Sequence, residues 1–103
     1  MAREHSELIN KILVRLSQKK CRAWKNTVGV FHLPNGRPIR IGVVGSSDIF
    51  GIRHDGKFIS IEVKVGNDFL KERQCAWRDM IRAFGGLWCE ARSVDDVEQI
   101  FKD

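Results

Sequence analysis

Three residues near the middle of this 103-residue chain are of the types that phosphodiester chemistry uses. Asp48 stands just before a short apolar run, Ile49-Phe50-Gly51-Ile52; beyond an Asp55-Gly56 turn signal come Glu62 and Lys64, two residues apart. Two carboxylates brought close repel each other unless a cation lies between them. A hard divalent ion such as Mg²⁺ accepts one or two carboxylates together with waters and phosphate oxygens. A protonated lysine cannot ligate that ion, but it can sit beside the attacking water, or stabilise the charge that builds on phosphate. The set therefore points to metal-assisted attack on a phosphodiester. The same residues also fit a plainer arrangement, a capping aspartate and an exposed Glu–Lys pair worth about 0–1 kcal/mol. Spacing alone does not separate the two.

What must position these side chains is legible in the periodicity. From Lys57 the pattern alternates: Ile59, Ile61, Val63 and Val65 point one way, Phe58, Ser60, Glu62 and Lys64 the other. The first set is wholly β-branched and predicts a core-facing strand side. Residues 48–52 predict the strand before it, joined through the turn at His54-Asp55-Gly56. Residues 5–17 place Leu8, Ile9, Ile12, Leu13 and Leu16 on one side of an amphipathic helix. After a basic, Trp-containing link, residues 27–33 and 37–44 flank Pro34-Asn35-Gly36 and predict a hairpin, with Pro38 at a strand start or edge. Asn67-Asp68 offers an N-cap for a helix running to about Phe84, stopped by Gly85-Gly86. On that helix Gln74 falls on the apolar stripe of Leu70, Trp77, Ile81 and Phe84, where an amide requires a partner. Residues 87–91 predict another strand, and Ser93 with Asp96 resembles a capping box for a last helix carrying Val94, Val97, Ile100 and Phe101. The order α, β-hairpin, β, β, α, β, α predicts an α/β fold, a mixed sheet flanked by helices.

Composition bounds the partners. The length suits one domain over residues 1–103. No apolar stretch approaches the roughly 18 residues needed to span a bilayer, and the N-terminus lacks the apolar segment of a signal peptide, so a cytoplasmic protein is expected. Cys21, Cys75 and Cys89 are too scattered for a zinc site and predict reduced, packing thiols; His5, His32 and His54 are equally dispersed. The formal charge of +5 favours a polyanionic partner, of which nucleic acid is the commonest.

Taken in order, Gly45-Ser46-Ser47-Asp48-Ile49-Phe50-Gly51, then Gly56-Lys57-Phe58 leading to Ile61-Glu62-Val63-Lys64, then Gln74 with Trp77 and Gly85-Gly86, resemble the PD-(D/E)XK nuclease superfamily and, within it, the VRR-NUC domain. Trp24-Lys25-Asn26-Thr27-Val28-Gly29 ahead of the hairpin extends the likeness over almost the whole chain. Ser47 stands where the superfamily label has proline, and no Val-Arg-Arg run occurs. The resemblance implies a restriction-endonuclease-like core akin to Holliday-junction resolvases. It implies Asp48 and Glu62 as ligands of Mg²⁺ or Mn²⁺, the Val63 carbonyl as a further ligand, and Lys64 as the group that assists the nucleophilic water. It gives Glu7 as a first-helix acid supporting the metal, with Glu4 as the fallback, and Gln74 as a group that binds Lys64, a metal-held water or DNA. The chain looks like the stand-alone, virus-type minimal form, which in a host cell would act in the cytoplasm. For that form the resemblance suggests a homodimer acting on branched DNA, without a small-molecule cofactor.

Phosphate contacts are expected from Arg22, Lys25, Arg37, Arg40 and Lys57, and Trp24 and Trp88 as core or dimer contacts. A catalytically silent DNA-binding module that kept the fold, or a sequence-specific restriction-like nuclease, would carry many of the same residues.

Overall fold

The computed structural model describes residues 2–102. Helix α1 (Ala2–Gln18) is followed by strands β1 (Arg22–Lys25), β2 (Gly29–His32), β3 (Pro38–Ile41), β4 (Ile49–Ile52) and β5 (Phe58–Val63), helix α2 (Glu72–Ala83), strand β6 (Leu87–Ala91) and a C-terminal 3₁₀ helix (Val94–Phe101). Four strands form one sheet in the order β1-β4-β5-β6. β1–β4 and β4–β5 are antiparallel and β5–β6 is parallel, so α2 is the crossover of a β-α-β unit. The predicted mixed α/β architecture is therefore the one observed.

Directly paired residues share a side of the sheet. One side presents Ile49, Ile59, Ile61 and Cys89, which pack with Ile9, Ile12 and Leu16 of α1 and Val97 and Ile100 of the 3₁₀ helix into the hydrophobic core. Removing any one of these large aliphatic side chains, as in Ile61→Ala, costs about 2–5 kcal/mol. The other side presents Trp24, Phe50, Ser60 and Trp88 in one row and is covered by α2 over its β5 half. There the Phe50 and Trp77 rings stack at 5.7 Å, and Trp77 Nε1 donates to Ser60 Oγ at 2.9 Å. Beyond Phe50 this side is open toward β1 and the end of β4: Trp24 and Ile52 are both exposed.

Four expectations need correction. The basic link after α1 is a strand: residues 22–25 pair with β4 from Arg22↔Ile52 to Lys25↔Ile49, and as an edge strand β1 lacks the apolar alternation that would have revealed it. The hairpin β2–β3 forms a separate two-stranded sheet, not part of the central one. Helix α2 begins at Glu72, because Asp68 is committed elsewhere: its side chain accepts from the Phe69 N–H and from Lys64 Nζ. Phe84 is 86% exposed, since it lies at the C-cap, where the helical stripe no longer faces the sheet. The stop at Gly85 (φ 87°), strand β6, Pro38 at the start of β3 and the contact of Asp96 with the Ser93 N–H are found as expected. Among the described residues no helix is long and apolar enough to cross a membrane.

Candidate active site

The end of β5 and the residue just after it carry the charged pair. Glu62 is 4% exposed and Lys64 3%, unlike an exposed surface pair, because α2 closes over this side of the sheet. Lys64 Nζ donates to Gln74 Oε1 at 3.0 Å and to Asp68 Oδ2 at 3.3 Å, and lies 3.7 Å from Glu62 Oε2. Gln74 Nε2 in turn donates to Glu62 Oε2 at 3.2 Å. The amide on the apolar stripe is thus partnered on both its atoms, and it joins the acid to the base. Arg92 donates to the carbonyls of Gly66 and Asp68, fixing the loop that presents Asp68.

Asp48 reaches the same point from the start of β4. Its Oδ2 accepts the Val63 N–H at 2.8 Å, taking the place of a ladder partner where the β4–β5 pairing ends at Ile49↔Ile61. The N–H and carbonyl of one strand residue point to the same side, so the Val63 carbonyl faces this corner too. It meets His5 Nε2 of α1 at 3.0 Å, and the same nitrogen lies 3.4 Å from Asp48 Oδ2. With the hydrogen on Nε2, His5 donates to that carbonyl.

The loop before Asp48 is held on several sides. Asn26 Nδ2 donates to Ser46 Oγ and to the Ser47 carbonyl, both at 2.9 Å, and the Asn26 N–H donates to the Asp48 carbonyl at 2.8 Å. The buried Ser47 and Ser60 hydroxyls bond at 2.7 Å, extending the Trp77 contact to the residue beside the acid. Gly45 (φ 89°) lets this loop touch α2, since a Cβ there would stand 2.8 Å from the Arg73 carbonyl oxygen. These contacts fix Asp48 relative to Gln74.

Charge at the corner is unbalanced. Burial, and then the charge of Asp48, push the Glu62 carboxyl up to about 8, with Lys64 offsetting only part of this. The Asp48 and Glu62 carboxyls are within hydrogen-bonding reach of each other. They open into a cleft of about 330 Å³ whose walls include His5, Lys25, Asn26, Ser46 and Gln74. Among the described residues no three His, Cys, Asp or Glu side chains converge on one metal position. A cation here would draw on two carboxylates, the Val63 carbonyl and water, an all-oxygen set with few protein ligands that suits Mg²⁺ or Mn²⁺ better than zinc.

Of the residues singled out from sequence, the structure brings together Asp48, Glu62, Val63, Lys64 and Gln74. It does not bring Glu7 there: that side chain is exposed and pairs with Arg3 at 3.1 Å, and Glu4 is also exposed. The reason is helical phase. His5, Ile9, Ile12 and Leu16 stand at i, i+4, i+7 and i+11, one stripe, while Glu7, two residues on from His5, is turned about 200° away. His5 was missed although that stripe was the signal for it. Asn26 was within reach through its place in the motif ahead of the hairpin. The five basic residues divide: Lys25 lines the cleft and Arg37 and Arg40 are exposed on the hairpin, whereas Arg22 and Lys57 lie toward the opposite end of the sheet.

No protein-family model matches the sequence, and no curated protein matches it. Among solved structures, one described as "VRR_NUC domain" superposes with a TM-score of 0.66, covering 95% of this chain and 97% of that one, at 18% identity. The chain has the VRR-NUC fold. At that identity the likeness speaks for the backbone alone, and the side-chain cluster stands on its own geometry. Within the VRR-NUC fold of this chain, the cluster occupies the end of β5 where α1, α2 and the loop before β4 converge.

Proposed function

We propose that this protein is a Mg²⁺- or Mn²⁺-dependent endonuclease that hydrolyses phosphodiester bonds in DNA, selects branched structures such as four-way junctions, and acts as a homodimer. The observation that carries this reading is the half-buried Asp48 beside the buried Glu62 with Lys64 against it, on a VRR-NUC fold and open to a polar cleft. Asp48, Glu62 and the Val63 carbonyl would hold the cation, which when bound supplies Lewis acidity, polarising the scissile phosphate and acidifying water. Lys64 contributes a fixed positive charge beside the reacting phosphate, and Gln74 keeps its ammonium aimed at Glu62. His5 orients the Val63 carbonyl and restrains Asp48. Lys25, at the rim, meets the DNA backbone, with Arg37 and Arg40 of the hairpin as further contacts.

The homodimer is supported by the open part of the sheet. Trp24, Ile52, Met80 and Phe84, with Val43 and Val44 beside α2, leave large apolar side chains in solvent. At roughly 150–250 Å² for an aromatic side chain, Trp24 and Phe84 would each supply a substantial share of the about 800 Å² that each partner of a standard interface buries. A two-fold dimer would also give one active site for each of two strands. The three free thiols, two of them buried, suit a reducing cytoplasm.

Cleavage of labelled linear, flapped, splayed and four-way DNA in Mg²⁺ and Mn²⁺ tests the activity. Asp48→Ala and Lys64→Ala are each expected to lower junction cutting by at least about 100-fold; cutting at wild-type rate by either variant refutes the reading. Junction binding without cutting in either metal would leave the silent DNA-binding module instead. Light scattering is expected to give a dimer at micromolar concentration and a monomer for Phe84→Glu. A wild-type monomer that cuts fully removes the dimer.

A further inference from the structure

The end of the sheet opposite the cleft has a character of its own. There Arg53, 4% exposed, is fixed by donating to both Asp55 oxygens and to the carbonyls of Ile100 and Lys102. Around this clasp stand five exposed cations: Lys19 and Lys20 after α1, Arg22 at the start of β1, Lys57 at the end of the 53–57 turn, and Lys102. None of the five is within ion-pair distance of a carboxylate among the described residues, and Lys19 and Lys102 act on Glu98 only from farther off. Among the described residues, Asp55 and Glu98 nearby are already engaged, Asp55 by Arg53 and Glu98 by Arg15 at 2.7 Å. Lys19, Lys20, Arg53 and His54 share one recess of about 290 Å³ floored by Phe101. At the cleft end Lys64, Lys71 and Arg92 are paired with acids, and Lys25 is in no ion pair among the described residues.

We infer that this pole is a second binding surface for the phosphate backbone of duplex nucleic acid, separate from the cleft. β1 joins the two places: Lys25, at one end, lines the cleft, and Arg22, three residues back and about 10 Å along the strand, belongs to the pole. Unpaired cations on a rigid frame attract a polyanion at no cost in broken ion pairs, and a duplex presents a phosphate charge every 1.7 Å or so of its axis. The inference depends on the nucleic-acid part of the reading above and not on cleavage.

Binding of a fluorescein-labelled four-way junction, measured by anisotropy in EDTA across a salt series, tests it independently of catalysis. The triple variant Lys19→Glu, Lys20→Glu, Lys57→Glu is expected to bind about tenfold more weakly near 100 mM salt. Its log K against log salt slope should be shallower by about 2 to 3, at roughly 0.9 for each phosphate that is no longer neutralised. Affinity within twofold of wild type with an unchanged slope overturns the proposal. A second measurement needs no variant: in the wild-type protein, junction DNA should protect Lys19, Lys20 and Lys57 from acetylation, and undiminished acetylation overturns it. Stronger protection by phosphatidylserine vesicles than by DNA at equal phosphate concentration would also overturn it, in favour of a membrane surface.

Discussion

Arg53 and Lys64 are cations buried to the same degree at opposite ends of the central strands, and their surroundings differ in one respect. Among the described residues Arg53 meets the Asp55 carboxylate through Nε and Nη2, and two backbone carbonyls through Nη1. Asp55 is correspondingly held well below the usual carboxylate range by Arg53. Lys64 faces Glu62 and Asp68, with Asp48 just beyond Glu62; Asp68 also has Lys71 at 3.6 Å, but Glu62 and Asp48 together outnumber the one buried ammonium beside them. Glu62 answers by rising to about 8. A buried charge shared between a carboxylate and backbone carbonyls ties the C-terminal segment to the sheet. One set among too many acids leaves a deficit of positive charge that a divalent cation can fill.

That contrast can be broken at either end. Arg53→Met should cost about 2–4 kcal/mol in urea unfolding, less than a fully buried pair because Asp55 stays partly solvated; a loss under about 1 kcal/mol would mean that the clasp is not structural. Glu62→Gln should instead leave the metal-free protein equally stable or more stable, by about 1–2 kcal/mol at pH 7.5, while abolishing cleavage. The pH dependence gives the sign. Glu62 in the folded state holds its proton up to about 8 against an ordinary value of 4.5, so the unfolded chain releases it first. Metal-free stability should therefore fall as pH rises from about 4.5 to 8, and Glu62→Gln should flatten that slope. A stability that rises through this window would contradict the assignment. The smallest effects sharpen the geometry of α1: His5→Ala should slow cleavage by about 10- to 100-fold. Glu7→Ala should change neither cleavage nor stability by more than about 0.5 kcal/mol, and the reverse ranking would restore Glu7 to the site.

Much of this was legible before any coordinates. The β-branched alternation of Ile59, Ile61 and Val63 fixed the orientation of β5, and with it the common side of Glu62 and Lys64. The Asp-Gly turn fixed the antiparallel return that sets β4 beside β5. β1 was hidden because an edge strand need bury little: Arg22, Trp24 and Lys25 are all exposed. The burial of Glu62 and Lys64 was equally hidden, since it depends on how closely α2 sits, which Gly45 and the Phe50–Trp77 stack decide across distant parts of the chain. His5 escapes a reading of the helical stripe that counts only apolar residues, although a polar residue at its end is where a buried stripe meets a site.

Gln74 Oε1 accepts not only from Lys64 but also from the Lys71 N–H, at 2.9 Å, where α2 begins. One oxygen thus serves the helix start and the lysine together, so fraying of the first turn of α2 releases the ammonium at the same moment. Amide exchange at that turn and the readiness of the acid–base cluster should therefore rise and fall as a single quantity, making the beginning of this helix a throttle on whatever the cluster does.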